Sequence, residues 1–466
     1  MKFLSYIFFA IAVFTLNATE NHEIEGDWTG VLDLGATELS LNVHLSMNQG
    51  ELEGSLFCAE QNFTLPIEAI NYHKSSLSFK IPRLLVSYNG TLAEGEIIGT
   101  FTQGKEFPLI LKKGITKAPV RARPQVDAVN PKLYVSEELF IKNGDVTLAG
   151  TLTLPRGNGP FTTVIFIAGS GPNDRDETIL GHKPFLVISD HLARHGIASL
   201  RLDKRGVGAS TGSFEEATCA DFVKDTQAAI NFIKRRKEVH SLGLLGHSEG
   251  GMLAPEIANA SPYIDFIILL AGTGVKGSDV LVHQSGLILK AEGASPEKTQ
   301  EHQNILRSVI EVLQEKRDVK EAIKRLSPKF DGSLQPLPPA AQEEWEAQIN
   351  QIHEALKTPW FQSFLNYNPR KALSEVDVPV LALNGSLDLQ VCPKQNLRNI
   401  EKTLKEGKNP PAVILELDGL NHLFQTAKTG SPNEYIQIEE TIAPEVLQLI
   451  SNWIQNSTPL GQTNQP

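Results

Sequence analysis

From Glu23 to Lys113, apolar residues recur at every second position. Trp28-Thr29-Gly30-Val31-Leu32-Asp33-Leu34, Leu39-Ser40-Leu41-Asn42-Val43-His44-Leu45 and Ser76-Leu77-Ser78-Phe79-Lys80-Ile81 carry the pattern. A two-residue period puts alternate side chains on one face of a strand. Short strands at close spacing, with Gly and Asn between them, predict a small antiparallel β domain, a curled sheet or barrel, over residues 19–117. This region carries no nucleophile–base pair, so a structural or docking role is expected of it ahead of ligand binding.

A Pro- and Arg-containing connector, residues 118–131, marks the domain boundary. Beyond it the texture changes. Apolar runs without alternation lie at Thr163–Ala168, Ile197–Leu202, Ser241–Leu245, Ile264–Leu270, Val378–Leu383 and Ala412–Leu417. Helix-length segments such as Asp221–Lys237 and Leu253–Ala260 separate most of them. That alternation predicts a mostly parallel sheet covered by helices on both faces, an α/β class, over residues 132–466. Glu137–Pro155 alternates around Gly144 and Gly150 and reads as an antiparallel hairpin leading into the sheet. Between about 275 and 375 the chain turns polar and helical, which predicts an inserted helical cap. Trp360 and Phe361 stand in an aromatic cluster near its end and are candidate walls of a binding cleft.

Met1-Lys2, the apolar Phe3–Leu16 stretch and Ala18 read as a signal peptide, residues 1–18, cleaved after Ala18. The mature chain is then expected to be exported, periplasmic or secreted, with no membrane span. The 43 Lys and Arg against 54 Asp and Glu give a net charge of −11, which argues against a nucleic-acid partner. Cys58, Cys219 and Cys392 form no CxxC pattern and allow at most one disulfide. Oligomeric state is not written in the sequence.

The chemistry centres on Gly246-His247-Ser248-Glu249-Gly250, a G-x-S-x-G pattern. The bare pattern is weak. Its context is stronger, because it follows an apolar run and precedes a helix-compatible segment. A strand, a sharp turn and a helix make the nucleophile elbow that exposes a serine hydroxyl. Serine needs a base to take its proton, and the chain order of such sites places an acid and then a histidine downstream. Asp388 follows the run ending at Leu383, and His422 follows the run ending at Leu417. His422 would be the base and Asp388 its orienting carboxylate, with Asp418 the competing acid. The oxyanion donors expected are the backbone N–H groups of Glu249 and Ser170, with Gly169 the second choice for the latter. The Asp174-Arg175-Asp176 cluster reads as an ion-paired loop.

These motifs, together with Gly169–Asp176 and Arg201-Leu202-Asp203-Lys204-Arg205-Gly206-Val207-Gly208-Ala209-Ser210, give the chain its resemblance. From about Trp28 to Trp453 it resembles bacterial α/β-hydrolase carboxylesterases with a small N-terminal β domain and a helical cap. The resemblance implies hydrolysis of small-molecule esters, usually with short acyl chains, without a cofactor or metal. Ser248, Asp388 and His422 fall on the triad positions, and Ser170 and Glu249 on the oxyanion positions. Ala168 departs from the histidine that relatives often carry there, which bears on side-chain support of the loop and not on its backbone donors. A peptidase or thioesterase on the same fold, and a non-catalytic envelope binding protein on a hydrolase scaffold, are the alternative expectations.

Overall fold

The computed structural model describes residues 23–33, 38–48, 50–59, 63–81, 86–103, 105–116, 121–326, 339–408 and 410–457. The predicted signal segment, residues 1–18, lies outside the described residues. The chain divides into two compact units, the first reaching Arg121 and the second beginning at Ala122.

The first unit is a closed antiparallel barrel of β1 (Gly26–Asp33), β2 (Glu38–Asn48), β3 (Glu51–Cys58), β4 (Phe63–His73), β5 (Ser76–Ile81), β6 (Val86–Ala93), β7 (Glu96–Gln103) and β8 (Lys105–Lys113). Each strand pairs with the next, and β1 pairs with β8 to close the ring. The alternation seen in the sequence sends Trp28, Leu45, Leu77, Phe79 and Tyr88 inward, where they are almost fully buried. A barrel of this strand number is just wide enough for side chains to fill it. Tyr88 shows how tightly. Gly90 and Gly99 face each other across β6 and β7. A Cβ at Gly99 would lie 2.7 Å from Tyr88 Cζ, and one at Gly90 2.6 Å from Tyr88 Oη. The phenol therefore occupies the space two side chains would take. Its hydroxyl lies 3.1 Å from Ile97 O and 3.2 Å from Leu109 O, so this buried polar group is satisfied. The interior is filled by packed side chains.

Residues read as the later part of the connector belong to the second unit. Arg123 is buried and donates to Ile438 O and Ile436 O, both at 3.0 Å. A short helix, α1 (Pro124–Asp127), follows it. Composition alone missed this anchoring, because the carbonyls that hold Arg123 lie more than three hundred positions away.

The second unit is built on an eight-stranded sheet in the order β16-β15-β14-β13-β11-β12-β10-β9. β9 (Tyr134–Asn143) and β10 (Val146–Pro155) form the antiparallel hairpin, turning at Gly144. β10 also runs antiparallel to β12 (Ala198–Leu202), whereas β12, β11 (Phe161–Ile167), β13 (Val239–His247), β14 (Phe266–Leu270), β15 (Val380–Gly385) and β16 (Ala412–Leu417) are mutually parallel.

Consecutive residues of the central strands serve opposite faces. Ile165, Ile167, Leu244, Ile267 and Leu269 join one buried cluster. Val164, Phe166, Leu245, Ile268 and Leu270 join another. Both faces are covered, which is why these strands read as unbroken apolar runs. Helices α3 (Cys219–Ile233), α4 (Glu249–Asn259) and α11 (Pro393–Glu406) pack on the first face. Helices α2 (Pro184–Arg194) and α12 (Pro444–Ser457) pack on the second. β16 departs from the expectation of full burial. It pairs only with β15 and leaves Val413 and Leu415 exposed, as an edge strand with a single neighbour does.

The cap enters between β14 and β15. It comprises α5 (Gly277–Ala291), α6 (Pro296–Gln314), α7 (Val319–Leu326), α8 (Pro339–Leu356), α9 (Pro359–Asn366) and α10 (Arg370–Glu375). It has its own core, including Leu306, Val309, Ile310, Ile349 and Leu365. This is the α/β-hydrolase architecture with an inserted helical cap, preceded by a barrel. None of the three cysteines is in a disulfide. Among the described residues, no helix is long and apolar enough to cross a membrane.

Candidate active site

Ser248 stands between β13 and α4 with φ 51° and ψ −112°, a conformation that side-chain-bearing residues rarely adopt. Strain at a functional residue persists only where its surroundings hold it. Here the Ser248 N–H donates to Leu270 O at 2.8 Å, pinning the turn to the end of β14. The flanking glycines are required by close approach. A Cβ on Gly246 would lie 2.2 Å from Gly250 O, and one on Gly250 would lie 1.9 Å from Ile167 O. The backbone of the elbow therefore packs directly on the backbone of β11.

Asp388 lies beyond the C-terminal end of β15 and His422 beyond that of β16, where open α/β sheets gather their reactive groups. The His422 Nδ1–H donates to Asp388 Oδ2 at 2.7 Å, and both side chains are buried. The other carboxylate oxygen, Asp388 Oδ1, accepts the N–H groups of Gln390 and Val391, each at 2.8 Å. Asp418 is exposed and accepts instead from Ser386 Oγ at 3.1 Å. Of the two acids weighed in the sequence, Asp388 is the one on the histidine. His422 is brought to the elbow through its neighbour. The Nε2–H of His247, the residue before Ser248, donates to His422 O at 3.0 Å, and the two rings lie 4.8 Å apart.

The expected oxyanion donors are Ser170, on the loop after β11, and Glu249, the first residue of α4. Among the described residues, neither the Ser170 nor the Glu249 N–H donates to a protein acceptor. Gly169, the second choice, is not available, because its N–H donates to Glu177 Oε1 at 2.5 Å. The loop bearing Ser170 is held by side chains that sequence reasoning missed. Lys204 Nζ donates to Gly169 O at 2.5 Å and to Glu249 Oε2 at 3.0 Å, linking the two donor segments. Asn173 Nδ2 donates to Gly169 O at 2.7 Å and to Ser170 O at 3.0 Å. These contacts brace the loop that follows Ala168. Lys204 lies within a motif already singled out, and His247 within the G-x-S-x-G pattern itself. Their roles were hidden because each depends on a partner distant in sequence.

The Asp174–Asp176 loop is ion-paired, as expected. Arg175 forks onto Asp203, with Nε–Oδ1 at 3.1 Å and Nη2–Oδ2 at 2.8 Å, and Arg201 pairs with Asp176. Burial opposes the charge on Asp203, but Arg175 and the Ala209 N–H together outweigh it and hold the carboxyl below its usual range. Asp203 also accepts the N–H of Arg175 at 2.8 Å, so the loop after β11 is tied to the end of β12.

The aromatic pair of the cap divides. The Trp360 Nε1–H donates to Glu249 Oε1 at 2.7 Å, which places the indole beside the elbow. Phe361 lies 4.4 Å from Trp360, centroid to centroid, and packs against the cap's own core. Glu249, whose side chain is fully buried, thus meets Lys204 on one oxygen and the cap on the other. No cluster of side chains suited to a metal ion occurs among the described residues.

Comparison with known proteins follows this geometry. The family described as Serine aminopeptidase, S33 (Hydrolase_4) matches residues 185–422. The chain is 29% identical over 374 residues to Esterase EstD of Thermotoga maritima, covering 79% of each chain. Among solved structures, ferulic-acid-bound Est1E of Butyrivibrio proteoclasticus aligns with a TM-score of 0.41 at 17% identity, over 68% of this chain and 98% of that one. Proline iminopeptidase of Mycobacterium smegmatis aligns with a TM-score of 0.42 at 16% identity, over 69% and 98%.

Proposed function

The chain belongs to the Hydrolase_4 (Serine aminopeptidase, S33) family of serine hydrolases, and from that premise we propose that it is an exported carboxylesterase acting through an acyl-enzyme on Ser248. The observation that carries this reading is the 2.7 Å Asp388–His422 bond, held against the strained turn that bears Ser248. His422 Nε2 takes the Ser248 proton as Oγ attacks the ester carbonyl. The carbonyl oxygen becomes an oxyanion facing the Ser170 and Glu249 N–H groups. Collapse of the tetrahedral intermediate breaks the C–O bond to the alcohol, which leaves with the proton from His422. Water then attacks the acyl-enzyme through the same base and frees the acid. Asp388 fixes the tautomer that leaves Nε2 free to accept. The likeness to Esterase EstD supports esters as the substrate class.

The family description also raises an aminopeptidase reading. That chemistry needs a carboxylate free to meet the substrate's α-ammonium. Near Ser248, Glu249 is bonded to Lys204 and Trp360, Asp388 to His422, and Glu177 to His247. Aryl esters and matched aminoacyl anilides decide between the readings. Rapid ester turnover, with a fluorophosphonate probe on Ser248, is expected. Faster amide cleavage would reverse the assignment, and a folded protein that neither labels nor turns over would favour a binding role.

Short acyl chains are the expected substrates, with the Trp360 indole walling the acyl site. Trp360→Ala should shift the preference toward longer esters by about tenfold in relative kcat/KM, the scale on which apolar pockets discriminate chain length. An ester series of increasing acyl length measures it, and an unchanged profile would remove Trp360 from the pocket. Export predicts a mature protein beginning at Thr19. N-terminal sequencing of envelope-fraction protein reads this directly, and an intact Met1 terminus would refute it.

A further inference from the structure

Glu177 and His247 are buried titratable groups that the mechanism above leaves without a task. Glu177 ends a tight turn in which its N–H donates to Asp174 O at 3.0 Å. Asp174 Oδ1 accepts from Asp176 N at 3.1 Å and Thr178 N at 2.9 Å. The turn leaves Glu177 at φ 53° and aims its carboxylate inward, where it is 5% exposed. A single oxygen, Oε1, meets both the Gly169 N–H at 2.5 Å and His247 Nδ1 at 3.0 Å. The far side of the same ring, His247 Nε2, meets His422 O at 3.0 Å.

Counting protons ties the state of the ring to that of Glu177. A carbonyl oxygen only accepts, and so does a carboxylate. His247 must donate from Nε2 to His422 O. It must also donate from Nδ1 to an oxygen that already accepts from Gly169. With Glu177 ionised, both ring nitrogens carry hydrogen, and the ring is an imidazolium. We propose that Glu177 and His247 form a buried carboxylate–imidazolium pair that positions the oxyanion loop and the His422 loop about Ser248, and that loss of its proton sets the alkaline limit of activity.

The surroundings agree. Burial works against charge on His247, but the Glu177 carboxylate, its hydrogen bond, the bond to His422 O and the more distant Asp388 raise its pKa overall. The titratable groups facing the ring are Glu177 from the loop after β11, Asp388 from the loop after β15 and His422 from the loop after β16. Lys204 and Glu249 pair with each other at Gly169 O. Apolar side chains, among them Phe185, Leu270 and Leu423, line the remaining small gap beside the pair. The sign follows. Below the raised pKa the ring donates twice and bridges the two loops. Above it one donor is lost, the bridge opens, and kcat falls as pH rises.

The inference rests on the triad reading, and its test separates the two. Glu177→Gln and His247→Gln are each expected to lower kcat by about 10- to 100-fold, the scale of a misplaced oxyanion donor, with KM changed far less. In Glu177→Gln the alkaline fall in kcat should move to lower pH, since the anion that holds the proton is gone. The double variant should be no worse than the poorer single one, because the two act as one unit. Unchanged kcat and an unmoved alkaline limb in folded variants would overturn the proposal. If the variants do not fold, ring-¹⁵N NMR of the wild type decides, with His247 assigned through its backbone correlations. A doubly protonated ring at neutral pH, titrating where kcat falls, is expected. A neutral ring would overturn the pair while Ser248 still labels with fluorophosphonate. Absent labelling would instead remove the triad reading itself.

Discussion

Ser248→Ala is expected to lower kcat for small aryl esters by about a million-fold and to abolish fluorophosphonate labelling. Without Oγ no acyl-enzyme forms, and the residual rate is what binding and the oxyanion donors supply to attack by water, about 10³- to 10⁴-fold over solution. The fold should survive. Alanine keeps the Cβ that serine already holds at φ 51°, so the turn carries the same strain as before. Glycine does not, because it adopts positive φ freely. Ser248→Gly should therefore be equally inactive yet more stable than Ser248→Ala by about 1 kcal/mol, the cost of holding a side chain in the left-handed half of the map. Urea unfolding of the two variants reads the difference. Equal stability would mean the turn is relaxed, and near-normal turnover in either variant would remove Ser248 as nucleophile.

Asp388→Asn should cost about 10⁴-fold in kcat without moving the backbone. The reason lies in the other oxygen of the carboxylate. Asp388 Oδ1 accepts two backbone N–H groups, Gln390 and Val391, at 2.8 Å each. An asparagine must keep its oxygen there, because its NH₂ would face two donors. Its NH₂ then points at His422 Nδ1 and donates to it. The ring is forced into the tautomer with hydrogen on Nε2, which cannot accept the serine proton. Asp388→Ala removes the orientation but not the choice of tautomer, and should retain more activity than Asp388→Asn at neutral pH. Stopped assays over hours with a chromogenic ester distinguish the two. If Asp388→Asn were fully active, Asp388 would not be the triad acid.

The placement of Ser248, Asp388 and His422 was legible in the sequence for a physical reason. Each member follows the C-terminal end of an apolar run, and in a parallel sheet those ends share one edge, so linear order maps onto space. The elbow was equally readable, since Gly246 and Gly250 are fixed by backbone contacts that no Cβ can enter. What escaped was support that forms only across the fold. Glu177 and His247 are 70 positions apart, and Trp360 and Glu249 are 111 apart. No periodicity connects such residues, and a buried ion pair leaves no pattern in composition. The barrel shows the same division. Alternation revealed its strands and their inward faces, but the pairing of β1 with β8 depends on accumulated twist and strand tilt. β16 read as buried because apolar content does not tell a central strand from an edge.

That edge has a consequence for handling the protein. A closed ring of strands offers no unsatisfied backbone, but a sheet that stops must expose a row of amides and carbonyls ready to receive a strand from another molecule. At one margin, β9 exposes Val135 and Phe140 but intersperses them with Glu137, Glu138 and Lys142, charges that discourage such annealing. At the other margin, β16 shows Val413 and Leu415 with Glu416 as its only charge. By charge β16 is the less protected of the two edges, and Val413→Lys is expected to reduce clumping in concentrated stocks.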